Sequence, residues 1–357
     1  MMMRPVAPLA RGGRTLSGLA SRGTFGLEAQ SAPRYMGIPT FMRTPLISVE
    51  QACTPSGGES NGLDVALLGV PFDGGVTNRP GARHGPRDVR VQSANMRGIH
   101  RVHNFSPFEI ARVGDVGDVP IENVFGNCGP AHAEITEFVR PLFEAGILPI
   151  SCGGDHSVLL PLVKAARSIQ SEPLSLIHID AHTDTWDEIW GEDDHHGAPV
   201  RRAVEQGLVD PKRTVMIGIR GAQMVTDGWD YCRDMGITVL WMETVAEIGI
   251  DATIKQARAI VGEDTPTYLT FDIDSIDPIF APGTGTPECG GLTTREAMQL
   301  LRGMRGLDLV GCDMVEVSPP FDSSTNTTAL VGATVMYELL CLLADKQQKR
   351  RAAAAGL

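Results

Sequence analysis

The chain has 357 residues, 42% of them apolar and 21% charged, with a formal net charge of -12. That is enough apolar material for one large α/β core or two smaller ones. The acidic balance argues against nucleic acid and anionic membrane as partners, and the longest C-terminal apolar run, 331–344, is interrupted by Tyr337 and Glu338 short of the roughly 18 to 20 residues of a membrane span.

Residues 1–34 carry Arg4, Arg11, Arg14, Arg22 and Arg34 against the single acid Glu28. Such a segment reads either as a mitochondrial transit peptide or as a disordered bacterial leader or misplaced start. The chain is accordingly placed in the cytoplasm, or in mitochondria if the leader is a transit peptide. Seven cysteines, an odd number with no CxxC pair, point away from a disulfide framework and towards a reducing compartment. Proline punctuates 33–45, and 54–62 is a polar, turn-rich linker.

From there apolar or β-branched runs recur at 65–70, 147–151, 174–179, 214–219, 237–241, 267–271 and 309–315. Most are continuous rather than alternating, as in strands buried on both faces. Residues 130–145 have helical spacing that Pro141 should kink or divide. Thr293 and Glu296 form a capping box ahead of Ala297, Leu300, Leu301 and Met304 on one helical face. A last helix is predicted over about 328–345, with a disordered basic, alanine-rich tail at 346–357. Alternating strands and helices predict a single α/β domain over 35–345, a mostly parallel sheet with helices on both sides.

The chemistry gathers where those strands end, as ligand sites do in open α/β sheets. Asp180, His182 and Asp184 follow one strand at alternate positions, which in extended geometry points all three to one side. Asp272 and Asp274 repeat the alternation, His156 follows Gly153, Gly154 and Asp155 after another strand, and Glu316 follows the last. Five acids and two histidines at one rim would repel one another and lose solvation unless cations neutralised them. Mixed carboxylate and imidazole donors suit first-row divalent ions better than calcium. Asp155 and His178 are read as supporting or core groups.

The strings GGDH (153–156), DAHTD (180–184), FDIDSIDP (271–278), GTGTPE (283–288) and MVEVSPP (314–320) resemble the signatures of the ureohydrolases, the arginase and agmatinase family. The resemblance runs over about 34–343 and implies an arginase-like three-layer α/β/α sandwich. TNRPGARHGPR (77–87), IPTFMR (38–43) and APGTGTPE (281–288) look nearer to the agmatinase, guanidinobutyrase and guanidinopropionase branch than to arginase. Carried over by position, it implies two divalent ions. His156, Asp180, Asp184 and Asp272 would hold one; Asp180, His182, Asp272 and Asp274 would hold the other. Manganese is the family norm, with nickel as the alternative. The resemblance also implies trimers or hexamers, or a hetero-oligomer with a paralogue.

The implied reaction is hydrolysis at a guanidinium carbon. Asp274 would take a proton from the attacking water, His196 would exchange protons with solvent, and Glu316 would hold the guanidinium with help from Thr286. His195, beside His196, competes for the shuttle assignment. For the substrate tail, Arg79, Arg83, His84 and Arg87 form a basic loop that could bind a carboxylate, with Arg83 taken as the clamp. Trp186, Asp187, Glu188, Trp190, Glu192, Asp193 and Asp194 form an acidic, aromatic loop that would favour a cationic or compact apolar group, with Trp186 as the contact. A guanidino acid is expected first; agmatine, and guanidine or a biguanide such as metformin with nickel, stay open, as does a non-catalytic ureohydrolase-like subunit.

Overall fold

The computed structural model describes residues 33–54, 62–125 and 127–354, so nearly all of the expected leader and most of the polar linker lie outside the described residues. Among the described residues eight strands form one sheet: β1 (Val65–Val70), β2 (Val113–Asp118), β3 (Leu148–Gly153), β4 (Leu174–Ile179), β5 (Val209–Ile219), β6 (Thr238–Trp241), β7 (Thr267–Asp272) and β8 (Leu309–Val315). Their order is β2-β1-β3-β8-β7-β4-β5-β6 and every neighbouring pair is parallel.

Because side chains alternate along a strand, each central strand feeds two cores. On β1, Val65 and Leu67 join one apolar cluster while Ala66, Leu68 and Val70 join the other. Helices α1 (Val49–Cys53), α4 (Gly129–Glu144), α5 (Leu159–Arg167), α6 (Pro199–Glu205) and α7 (Asp227–Met235) cover the second cluster. Helices α2 (Gly85–Ser93), α3 (Pro107–Ile110), α8 (Met242–Ile248), α9 (Ile250–Val261), α10 (Thr294–Gly303) and α11 (Thr327–Ala354) cover the first. The result is the expected three-layer sandwich. The capping box is formed as the sequence predicts, with Glu296 N–H bonding Thr293 Oγ1 at 3.2 Å and Thr293 N–H bonding Glu296 Oε2 at 2.8 Å.

Several expectations are corrected. β2 reads VGDVGD and was missed, because its two glycines and two aspartates oppose strand propensity. Asp115 is nevertheless buried, accepting from Arg90 Nε at 2.9 Å and from the Phe41 amide at 2.8 Å. Helix α4 is one element with Pro141 inside it. A proline in the last turn removes a single backbone bond, the one to the carbonyl of residue 137, so the helix is not divided. Helix α11 runs nine residues beyond the expected end at 345 into the predicted tail, because Gln347 Nε2 donates to Asp64 O at 3.1 Å and Lys346 Nζ pairs with Asp308 at 2.6 Å. Only 355–357 of that tail lie outside the described residues. Its segment Thr327–Arg350 is also long and apolar enough to cross a membrane, contrary to the sequence count, but 78% of its most apolar window is buried inside the protein, as in a core helix.

The topology decides where ligands can bind. β3 and β4 are consecutive in the chain yet lie on opposite sides of the pair β8-β7, so the connection switches direction across the middle of the sheet. Strands about 4.8 Å apart place the carboxyl ends of β3, β8, β7 and β4 along about 15 Å of one rim. Gly154 lets the loop after β1 close over that rim: a Cβ on it would lie 1.6 Å from the Phe72 carbonyl oxygen. Gly154→Ala is therefore expected to cost about 1–3 kcal/mol in stability, measured by chemical denaturation.

Candidate active site

Each site residue is set by the turn that ends its strand. Asp180 is the first residue after β4, and its Oδ1 accepts the His182 amide at 2.7 Å. The chain therefore bends here instead of continuing extended, and it is this bend, with Asp184 at φ +52°, that aims the side chains. Asp272 ends β7 and accepts the Asp274 amide at 2.8 Å, starting the 3-10 turn Ile273–Ser275. His156 opens a 3-10 turn capped by Asp155, whose other oxygen takes the Gly75 amide at 2.7 Å and fastens the loop after β1. Glu316 follows β8 at φ +64°. Left-handed backbone at two non-glycine residues of one site is strain that the surrounding packing must hold.

His156 Nδ1 lies 2.9 Å from Asp180 Oδ2, 2.9 Å from Asp184 Oδ2 and 3.2 Å from Asp272 Oδ2. Yet the first three of these atoms are buried and make no hydrogen bond, because they aim at a common point instead of along N–H directions. The other ring nitrogen, Nε2, is 2.8 Å from Thr270 Oγ1, which donates to Asp313 on the neighbouring strand, so Nδ1 is left for the rim. His178, read from the sequence as a supporting group, packs on the His156 ring at 5.2 Å and brings Nε2 to 3.1 Å from Asp180 Oδ2, so its nitrogen also faces the rim. On the other side, His182 Nδ1 is 3.2 Å from Asp274 Oδ2 and 3.5 Å from Asp180 Oδ1.

Two groups of metal-ligand atoms thus share Asp180: His156, His178, Asp180 and Asp184, and Asp180, His182 and Asp274, the atoms of each within 4.8 Å of one another. Burial, reinforced by the charges of Asp274 and Asp180, pushes the Asp272 carboxyl well above the usual carboxylate range. Carboxylates that cannot all ionise together, with orphaned oxygens and an orphaned imidazole nitrogen, fit a pair of divalent cations. A third group, His100, His103 and Glu338, differs. His100 Nδ1 accepts the Val102 and His103 amides at 3.2 and 3.1 Å, so Nε2 carries the proton, and Arg302 already pairs with Glu338.

The rim opens into a cavity of about 310 Å³ lined by His156, His182, Asp184, Asp272, Asp274 and Glu316 on the floor. Thr286 Oγ1 donates to Asp274 Oδ2 at 3.2 Å. Glu316 Oε1 accepts the His156 amide at 2.9 Å and faces His196 Nδ1 at 2.9 Å, while Oε2 is buried without a partner. Burial disfavours a charged His196, but the facing Glu316 carboxylate outweighs it and holds the imidazole up at about 9. His195 points elsewhere: Nε2 meets the Asp187 carbonyl at 2.8 Å and Nδ1 takes the Gly197 amide at 3.2 Å. Only His196 of the two lines the cavity.

The tail-binding expectations need correction. Arg83 does not line the cavity; its guanidinium is paired with the buried Asp73, whose carboxylate also takes the Gly81 amide at 2.8 Å. Arg79, four residues earlier, does line it, lying 5.1 Å over the Phe321 ring with no ion pair among the described residues. Of the acidic, aromatic loop only Trp186 and Ile189 reach the cavity. Asp187 is paired with Arg201 at 3.0 Å and Arg202 at 2.8 Å, Asp193 lies 3.6 Å from Arg202, and Trp190 is exposed, so the loop is no acidic wall. Gln223, Ala222, Asn78 and Glu288 were missed as cavity residues. In the amide orientation that satisfies its neighbours, the Gln223 oxygen accepts from the indoles of Trp186 at 2.9 Å and Trp229 at 3.0 Å, which fixes the Trp186 ring.

Two measurements test this description. In chelated protein Asp272→Asn removes a repelling charge and should raise the melting temperature, whereas with excess divalent ion the wild type should gain about 2.7 kcal/mol per ion at a hundredfold excess over Kd and the variant less; thermal melts with and without metal read the crossover. In chelated Glu316→Gln, His196 should fall from about 9 towards its ordinary value, followed by NMR. Since the folded pKa is raised, the associated stability is present below about pH 6.5 and is lost as pH rises through about 9.

A family model described as the arginase family matches residues 63–342. The chain is 51% identical to a guanidinopropionase of Pseudomonas aeruginosa over 320 residues, covering 89% of this chain and 96% of that protein. It is 42% identical to a guanidinobutyrase of the same organism, over 89% of this chain and 96% of the relative. Among solved structures, the proclavaminate amidino hydrolase from Streptomyces clavuligerus superposes with a TM-score of 0.80 at 36% identity, over 88% of this chain and 99% of that one. A match of this extent, with His and Asp groups at the rim that could hold metal ions, makes the chain a member of the arginase family and a metal-dependent amidinohydrolase.

Proposed function

We propose that the protein hydrolyses a short guanidino acid of the 3-guanidinopropionate or 4-guanidinobutyrate type to urea and an amino acid. The observation that carries this reading is the polarity of the cavity: acids on its floor with Glu316 Oε2 buried and unpartnered, and Arg79 at its edge with no ion pair among the described residues. A guanidinium suits the first and a carboxylate the second. The high identity to guanidinopropionase supports the same substrate class.

His156, Asp180, Asp184 and Asp272 would hold one divalent ion, and Asp180, His182, Asp272 and Asp274 the other, with manganese as the proposed metal and nickel as the alternative. Such a pair supplies a water acidic enough to attack near neutral pH. Glu316 receives the guanidinium N–H groups and fixes the planar carbon above the floor. Asp274, steadied by Thr286, takes a proton from the attacking water. As the carbon–nitrogen bond to the alkyl amine breaks, the proton held by Asp274 passes to the leaving amine, while His196, with Nδ1 facing Glu316 and Nε2 at Thr77, exchanges protons with solvent.

A compact N-substituted guanidine or biguanide, giving a substituted urea and an amine, is the second reading, favoured by the apolar wall of Trp186, Ile189 and Ala222. Agmatine ranks lower, because its ammonium would meet Arg79 unless it turned to Glu288. A non-catalytic subunit is disfavoured by the complete donor set. Assembly into trimers or hexamers, or with a paralogue, belongs to the same proposal and is read by light scattering.

Product analysis on guanidine, 3-guanidinopropionate, 4-guanidinobutyrate, agmatine, arginine and metformin, with manganese and nickel separately, tests the assignment. Arg79→Ala should raise KM for the carboxylated substrates about 10- to 100-fold, the equivalent of about 1.5–3 kcal/mol for a charged hydrogen bond, and leave guanidine untouched. An equal loss on all substrates, or turnover of guanidine or metformin alone, overturns the guanidino-acid reading.

A further inference from the structure

Glu288, outside the expected ligand set, faces His182, and Arg220 holds the loop that carries it. The Nδ1 of this ring faces Asp274 and Asp180, so its Nε2 points the other way, towards Glu288 Oε1 at 3.7 Å. Gly221 leaves the ring room in this orientation, since a Cβ there would meet Cδ2 at 2.6 Å and Nε2 at 3.0 Å. Glu288 itself sits on a loop with no regular structure, so something must hold it in place.

Arg220, just after β5, does so. Its Nη2 donates to the carbonyls of Asp274 and Glu288, each at 2.7 Å. Nη1 donates to Gly218 O at 3.1 Å and Ser275 O at 3.2 Å, and Nε is shared between Glu288 O and Cys289 O, both at 3.3 Å. One planar guanidinium thereby ties the ends of β5 and β7 to the loop carrying Glu288. Gly291 is needed for the approach, as a Cβ on it would lie 2.4 Å from Nη2. Lysine, with its donors on a single atom, could not span these carbonyls.

We propose that Glu288 and Arg220 are positioning residues for His182. The Glu288 carboxylate, 3.7 Å from Nε2, favours the proton on that nitrogen by its charge, which leaves Nδ1 unprotonated towards Asp180 and Asp274, and Arg220 fixes the backbone of Glu288 relative to that of Asp274. A ligating imidazole whose second nitrogen donates to a carboxylate is held in tautomer and direction, and loss of such a partner typically weakens metal binding 10- to 100-fold. The inference rests on the reading of Asp180, His182 and Asp274 as the second ion's ligands.

The test uses the full chain stripped by chelation and titrated with manganese, with bound metal counted by equilibrium dialysis and elemental analysis. The wild type should bind two ions. Glu288→Ala should keep the first and weaken the second about 10- to 100-fold, and Glu288→Gln, whose amide oxygen keeps a partial negative charge, should recover part of the loss. Under saturating manganese the Ala variant should regain kcat with KM unchanged. Arg220→Lys, which gives up most of these carbonyl contacts, should lower the metal-free melting temperature and show the same selective loss of the second ion. If both Glu288 variants bind two ions as tightly as the wild type, the proposal is overturned, and a rise in KM alone would make Glu288 a substrate contact instead. A wild type that never binds a second ion would sink the two-ion reading itself, a result distinguishable from the first.

Discussion

Like charges brought to one buried rim are the constraint on which this molecule is organised. Asp180, Asp184, Asp272 and Asp274 are almost wholly removed from solvent, and Glu316 lies beside them. Removing carboxylates from water costs several kcal/mol each unless something of opposite charge replaces the lost hydration. Here the histidines offer only partial compensation, since His156 meets three carboxylates through one nitrogen without a formed hydrogen bond. The His and Asp cluster is fit for a pair of divalent cations, which would resolve the conflict, and the same negative field would draw in a guanidinium.

The sheet makes that crowding possible and keeps it rigid. Four adjacent strands end at the rim, and three of them hand their functional residue to a short turn in which a carboxylate caps the amide two residues on: Asp155 for Ser157, Asp180 for His182, Asp272 for Asp274, while Glu316 after β8 accepts the His156 amide. For Asp180 and Asp272, using one oxygen for its own backbone leaves Oδ2 to face His156 Nδ1, whereas the second oxygen of Asp155 takes the Gly75 amide. Behind them, Thr270 and Asp313 lie side by side on β7 and β8 and anchor His156, so the placement of one ligand is set by the pairing register of two strands.

The edge of the cavity is built on different material. The floor is made of turns attached to strands, whereas the edge is made of long loops: Arg79 from the loop after β1, Trp186 and Ile189 from that after β4, Gln223 from that after β5 and Glu288 from that after β7. This division lets tail recognition change while the reacting end stays fixed. It also explains why a basic loop and an acidic loop in the sequence need not make a basic and an acidic wall, since Arg83 and Asp187 spend their charge on Asp73 and on Arg201 and Arg202.

Read by itself, the sequence determined the fold class, seven of the eight strands and the candidate ligands, because buried parallel strands are continuous apolar runs and the polar residues that follow them stand out. The string around Asp180 was legible for that reason, although the bend that aims it was not, since whether a short segment turns or stays extended depends on which amide its carboxylate captures. β2 escaped because its aspartates are neutralised by Arg90, 25 residues away in the chain for Asp115. Likewise, which arginine of the 79–87 loop reaches the cavity, and that Arg220 ties three segments together, are facts about distances between residues far apart in the chain. Local pattern reports what a residue is; only tertiary packing decides what charge it has left to offer.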